Sequence, residues 1–286
     1  MSIVNPTMSN EAAIEYFCGL VRQESAIVLE ASKTYLIQAR LEPIAKAHGF
    51  ASLCELAAKA KASTVASTLR GEIVDAMTTN ETSFFRDFHP FEMLKKEVLP
   101  PLIERRRDKK TLCIWCAASS SGQEPYTIAM LIRENFPALS DWKIDFVASD
   151  ISPTMIRRCE EGFYSQIEIN RGLPAPYLVK YFKQEGSVWR IREDLRKSIG
   201  WRKMNLISSW PLMPKFDIIF IRNVLIYFDI ETKRGIFGNL RNQLAPDGAL
   251  FLGTAETTIN LDESLVREFN GKATYYRIGS QPVPAK

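Results

Sequence analysis

No stretch of the 286-residue chain is apolar for long enough to cross a bilayer as a helix. The opening residues, MSIVNPTMSNEAA, lack the charged start and apolar stretch of a secretory signal. A cytoplasmic protein without membrane insertion is therefore expected. Low-complexity tracts are missing too, which argues against a disordered chain. The five cysteines are an odd number spread along a long chain, which fits reduced thiols better than a disulfide framework. Cys113 and Cys116 form a CxxC in TLCIWCA, but in a strand that odd spacing points the side chains to opposite faces, so neither a metal site nor a redox pair is expected. Basic residues form no long run, and a net charge of +4 is too small to indicate nucleic acid; an acidic protein surface suits it equally well.

What is present is ordinary globular material, 46% hydrophobic and 24% charged, in a length that suits a small domain followed by a medium one. Residues 1–76 read as helices, with apolar positions at helical spacing in NEAAIEYFCGLVRQES, KTYLIQARLEPIAKAHG and SLCELAAKAKA. Lys33, Arg40 and Lys46 would share a basic face there, against the plainer reading of a solvated helix surface. Residues 77–90 form a linker, and from residue 91 to 286 strand-like and helix-like segments alternate. TLCIWCAA, WKIDFVASD, FDIIFIRN and ALFLGTAE have strand character, and Ser152 with Pro153 opens a helix between two of them. The succession implies a mostly parallel sheet with helices on its faces, and ligands of such sheets bind at the carboxyl ends of the strands. One segment, about 163–203, is too long for an ordinary crossover and is read as an insertion with short strands of its own.

The strand ends hold the candidate chemistry. CAASSSGQEPY follows the first strand: small residues allow close backbone approach, and the next helix offers free N–H groups. The GxGxxG pattern is missing, so a pyrophosphate cradle is disfavoured and a smaller nucleoside ligand remains. Asp150 ends the next strand, where open sheets place an acid on ribose hydroxyls or, equally often, a turn-capping acid. Further on stands FIRNVLIYFD, in which a helix beginning inside the segment would bring Asn223 and Tyr227 onto one face. An N-P-P-[YF] sequence is absent there, which counts against enzymes that methylate base amines. The oddest stretch is MTTNETSFFRDFHPF, where hydroxyls and amides abut two phenylalanines, an arginine and an acid.

Taken in order, TTNETSFFRD, AASSSGQEPYTIAM, ASDIS, the pair Asn205 and Leu206, FDIIFIRNVLIYFD and LAPDGALFLGTAET make the chain resemble the CheR-type chemotaxis receptor methyltransferases over almost its whole length. The resemblance implies a class I S-adenosylmethionine-dependent methyltransferase: a Rossmann-like, mostly parallel α/β sheet with a small all-helical N-terminal domain and a small inserted β subdomain. It also implies the reaction, transfer of methyl from S-adenosyl-L-methionine to receptor glutamates, leaving a 5-O-methyl ester and S-adenosyl-L-homocysteine, for sensory adaptation. By motif position Asn80, Thr82 and Arg86 would line the cofactor pocket and Glu124 would meet the methionine part. Asp150 would hold the ribose, Asn205 and Leu206 would flank the adenine, and Arg222 and Asn223 would close the pocket beside Tyr227. Family members commonly carry C-S-T-G-E-E-P where this chain has Ser119, Ser120, Ser121, Gly122, Gln123, Glu124 and Pro125; the acid at 124 is retained.

A glutamate acceptor is already ionised near neutral pH, so the reaction needs alignment and desolvation but no general base. His48 and His89 are accordingly expected to be structural or exposed. Arg86 is expected to orient a carboxylate and Tyr227 to stand beside the transferred methyl, the two catalytic candidates. Lys33 and Arg40 are the docking candidates for the cytoplasmic helices of transmembrane receptors, met by a monomer. NRGLPAPYLVKYF does not resemble the segment with which some relatives grip a receptor's terminal peptide, so tether-independent action is expected. The competing readings are another methyltransferase of the same fold, a catalytically silent adaptor and, more distantly, a dinucleotide oxidoreductase.

Overall fold

The computed structural model describes residues 8–29, 34–62, 66–271 and 273–279, and its chain contacts divide into two compact units. The first unit comprises Met1–Thr79 together with Tyr227–Asp229. Its described helices are α1 (Asn10–Ser25), α2 (Thr34–Ala47), α3 (Leu53–Ala62) and α4 (Ala66–Met77). Ser9 caps α1 by accepting the Ala12 N–H at 3.2 Å, and Ala26 ends it in the left-handed conformation. The helices meet through Phe17, Val21, Ile37, Leu41, Leu56 and Ile73, all buried, which is the helical spacing of the sequence turned into a core. Within this unit the Val28 N–H donates to Tyr227 O at 3.0 Å, and Arg22 pairs with Asp229 at 3.3 Å.

The second unit comprises Asn80–Ile226 and Ile230–Lys286. It opens with α5 (His89–Met93), a π turn at Leu94–Val98 and α6 (Leu99–Arg106). There follow β1 (Thr111–Ala117), α7 (Gln123–Asn135), β2 (Lys143–Asp150) and α8 (Pro153–Glu161). A second group is β3 (Phe163–Ser165), α9 (Gln166–Asn170), α10 (Ala175–Tyr181), β4 (Phe182–Glu185), β5 (Val188–Ile191), α11 (Glu193–Arg196) and β6 (Gly200–Lys203). The chain closes with β7 (Phe216–Ile221), α12 (Ile230–Gln243), β8 (Leu244–Leu252), β9 (Leu265–Asn270) and β10 (Ala273–Ile278).

Seven strands form one sheet in the order β6-β2-β1-β7-β8-β10-β9. β6, β2, β1, β7 and β8 run parallel, while β10 pairs antiparallel with both β8 and β9. All six residues of β7 are buried, as a continuous apolar run demands of a central parallel strand, and the one acid among them, Asp217, is met by Arg106 at 2.7 Å. A separate three-stranded antiparallel sheet has the order β3-β5-β4. Gly200–Lys203 differs from expectation: though inside the segment read as an insertion, it pairs parallel with β2 and forms the edge of the main sheet, its Trp201 opposite Ala148.

Candidate functional site

Parallel order sets the carboxyl ends of β2, β1, β7 and β8 in a row, and the loops that leave them are tightly wound. After β1 the backbone is left-handed at Ala118, Ser120 and Gly122, with φ of 53°, 50° and 92°. Glycine is required at 122: a Cβ there would stand 3.0 Å from Cys159 Sγ and 3.2 Å from the Tyr164 hydroxyl. Asp150, 5% exposed at the end of β2, accepts the Ser120 N–H on one carboxylate oxygen at 2.8 Å and the Ser152 N–H on the other at 2.9 Å. Ser152 in turn caps α8 by accepting the Met155 N–H at 3.0 Å. The acid and the turn thus fix each other. Ser120 Oγ also donates to Asn80 O at 2.8 Å, bringing the start of the polar-aromatic stretch to the same turn.

That stretch is anchored by its rings. Phe84 is fully buried, edge-on to Tyr164 and Phe182 with centroids 5.0 and 5.5 Å away, and Phe85 packs edge-on to Phe91 and Tyr177. The Phe85 N–H donates to Thr127 Oγ1 at 3.2 Å. Phe85, Asp87 and Phe88 all have positive φ, a conformation these residues reach only where surrounding contacts enforce it. Arg86 donates from Nη1 to Glu81 O at 2.7 Å, and the Glu81 carboxylate pairs with Arg171. Arg171 first, and the charge of Arg86 after it, hold the Glu81 carboxyl below its ordinary range, so Glu81 is an ion-pair partner of the segment that follows β3.

Arg222, which follows β7 and is itself buried, lies at the centre of an ion cluster whose acids are half-buried at Glu124 and exposed at Asp87. Its side chain is 1% exposed, with Nη1 donating to Glu124 Oε2 and Nη2 to Asp87 Oδ2, both at 2.6 Å, and Nη2 also reaching Arg86 O at 3.2 Å. Burial pushes the Glu124 carboxyl up against the opposing pull of Arg222. Arg222 Nε has no partner among the described residues. Thr254 Oγ1 donates to Asp87 Oδ2 at 3.3 Å, so the linker, α7 and the loops after β7 and β8 converge on one guanidinium.

Other predicted residues lie as follows. Leu206 is buried and Asn205 half-buried just beyond β6, where Asn205 Oδ1 accepts the Ile207 N–H at 3.2 Å and the Met204 N–H donates to Asp150 O at 2.8 Å. Thr82 is half-buried within the linker. The expected helix through Asn223 and Tyr227 does not form: Asn223 is left-handed at φ 58°, Leu225–Tyr227 is a single 3-10 turn, and α12 begins at Ile230. Asn tolerates that conformation better than most residues, and one such residue suffices to stop a helix from starting. Arg40 donates from Nη1 to Met77 O and Thr78 O at 3.0 Å each, closing the end of α4. Lys33 lies outside the described residues. His48 pairs with Glu72 at 2.6 Å, and His89 is exposed at the start of α5.

The residues fit S-adenosylmethionine on three counts. A buried carboxylate, Asp150, is fixed at the strand end where a ribose diol is held in open α/β sheets. A half-buried acid, Glu124, and Arg222 with its orphaned Nε donor would offer both signs of charge to the amino-acid end of such a ligand. The wall between them is a turn in which a Cβ at Gly122 would collide with its neighbours.

Known proteins give the same picture. The family model described as "CheR methyltransferase, all-alpha domain" matches residues 12–78, and "CheR methyltransferase, SAM binding domain" matches residues 80–272. Chemotaxis protein methyltransferase 1 of Pseudomonas aeruginosa is 40% identical over 257 residues, covering 88% of this chain and 92% of that protein. Chemotaxis protein methyltransferase Cher2 of Pseudomonas putida is 40% identical over 254 residues, covering 87% and 91%. A chemotaxis protein methyltransferase of Vibrio parahaemolyticus is 39% identical over 251 residues, covering 86% and 90%.

Proposed function

The chain belongs to the CheR methyltransferase family and uses S-adenosylmethionine, and from that premise we propose that its acceptors are glutamate side chains on the cytoplasmic helices of chemotaxis receptors. The products would be glutamate 5-O-methyl ester and S-adenosylhomocysteine, and the setting would be sensory adaptation, catalysed by a monomer in the cytoplasm. The observation that carries the reading is the Glu124–Arg222–Asp87 cluster around a buried guanidinium, inside a match to the SAM-binding family model. Among the described residues no helix is long and apolar enough to span a membrane.

Bound S-adenosylmethionine supplies an electrophilic methyl on a sulfonium. Asp150 would accept the ribose hydroxyls and Glu124 would meet the ammonium, while Arg222 pulls against the burial that pushes the Glu124 carboxyl up. Asn205 and Leu206 flank the adenine, and Asn80, Thr82 and Asn223 complete the wall. Arg86 orients a carboxylate with its guanidinium fork, and the Tyr227 hydroxyl holds one oxygen of the incoming carboxylate. That acceptor is ionised at neutral pH, so these residues align groups and exclude water instead of moving protons. Lys33 and Arg40 would meet an acidic receptor helix and supply orientation more than affinity.

The test is transfer of labelled methyl from S-adenosylmethionine to receptor-containing membranes, followed by mild base. Base-labile label on receptor is expected. Base-stable label would assign a different acceptor atom, and absence of transfer in the presence of tight cofactor binding would make the chain an adaptor.

A further inference from the structure

Glu256, four residues beyond β8, belongs to none of the roles above, yet its carboxylate is the most heavily used acceptor near the strand ends. Oε2 accepts the N–H of Asn223 at 2.9 Å and of Gly253 at 2.6 Å; Oε1 accepts the N–H of Val224 at 2.9 Å and of Leu225 at 2.7 Å. Three successive amides of the loop after β7 and one of the loop after β8 thus converge on one side chain. The first of the three belongs to Asn223, whose backbone is left-handed at φ 58°. Gly253 is where the two loops press together: a Cβ there would lie 2.7 Å from both Asn223 N and Glu256 Oε2.

An amide nest of this kind has no partner of its own in the β7 loop, because the 3-10 turn is too short to satisfy its first N–H groups. A charged acceptor with two oxygens offers enough lone pairs for all four donors. Glutamine does not, since its amide would set N–H against N–H at one of the two pairs. The requirement is therefore for a carboxylate, at the length of glutamate.

We propose that Glu256 is a positioning residue for methyl transfer, holding the left-handed turn at Asn223 and so the aim of Arg222 and Asn223 into the cofactor site. The proposal rests on the reading that these two residues border the cofactor. Glu256 acts through backbone amides, and its influence reaches the reaction only by way of the loop it holds.

The experiment measures S-adenosylhomocysteine affinity by calorimetry, methyl-transfer kinetics and thermal unfolding for the full chain and for Glu256→Gln, Glu256→Ala and Asn223→Ala. Asp217→Asn, at the opposite end of β7, serves as a variant destabilised without touching the loop. Glu256→Gln is expected to weaken S-adenosylhomocysteine binding about tenfold or more, the scale of losing charge-assisted hydrogen bonds in a buried setting. Its KM for S-adenosylmethionine should rise by the same factor, while Asp217→Asn loses comparable thermal stability with affinity unchanged. If Asn223→Ala weakens binding and Glu256→Gln and Glu256→Ala do not, the proposal is overturned on its own. If Asn223→Ala also binds as wild type does, the reading of the β7 loop as pocket wall fails with it. Equal loss of affinity in Asp217→Asn would mean that any destabilisation loosens the site, and that too overturns the proposal.

Discussion

Arginine side chains separate the tasks of this protein clearly. Arg222 is buried among acids, Arg40 caps a helix, and Arg86 is half-buried in a strained linker with one nitrogen on Glu81 O. Arg86→Ala is expected to lower kcat/KM for receptor methylation by about 100-fold or more, as loss of a charged orienting group does at a desolvated centre. Tyr227→Phe should lower kcat with cofactor affinity little changed. Wild-type rates and wild-type affinity in both variants would remove them from the reaction. Arg40 carries a different expectation. Its two bonds to the carbonyls of Met77 and Thr78 make Arg40→Ala destabilising by about 1–2 kcal/mol, read as a lower urea midpoint of the helical unit. A change in receptor methylation on substituting Arg40 therefore has to be compared with that stability loss before it is assigned to docking.

Elements differ in how far the sequence announces them. The continuous apolar runs at Thr111–Ala117 and Phe216–Ile221 identify themselves as strands, and the capped helix start at Ser152 and Pro153 identifies itself as well. The turn after β7 does not, because what holds it is Glu256, which lies far along the chain and contacts backbone only. A local reading sees an amphipathic FIRNVLIYFD and expects helix; the left-handed Asn223 is a tertiary effect. The short strand expected around Gly200–Lys203 was legible from its alternation, but its place was not: it pairs with β2 in the main sheet instead of belonging to the insertion, and nothing local in Trp201, Arg202 and Lys203 names that partner. Family motifs made the strand-end acids legible and include Asp87 and Glu256 as well, but the partners those two acids meet lie far along the chain and have no local signature. At the other end of the sheet, α6 is bound to β7 and β8 by Arg106, shared between Asp217 and Asp247 at 2.7 and 2.6 Å. Hydrogen bonding to Arg106 holds the Asp247 carboxyl down at about 2, below its ordinary 3.8. The stabilisation is complete above the unfolded-state value and drains away as pH falls towards about 2. With Asp247 at 35% exposure, solvent screening reduces the contribution to about 1 kcal/mol. Urea midpoints measured from neutral pH downward should fall below about pH 4, and Asp247→Asn should flatten that part of the curve.

Charge is distributed unevenly over the whole molecule. Nine Lys and Arg against four Asp and Glu lie within residues 163–203, so the excess of that segment alone exceeds the chain's net +4. Acidic receptor surface should be drawn to it over a range set by the Debye length. Raising the salt concentration is expected to raise KM for receptor several-fold while leaving S-adenosylhomocysteine affinity unchanged, because on the proposed reading the cofactor's charged groups would meet partners gathered around the buried Arg222 guanidinium; parallel weakening of both would contradict this. The path of the chain has its own consequence. It leaves the helical unit at Thr79, enters the sheet-bearing unit at Asn80, returns for Tyr227–Asp229 alone, and goes back at Ile230. A gene truncated to encode residues 80–286 would still carry three residues that belong with the deleted helices, among them the carbonyl that Val28 meets and the acid that Arg22 meets. No single cut of the chain yields the two units whole.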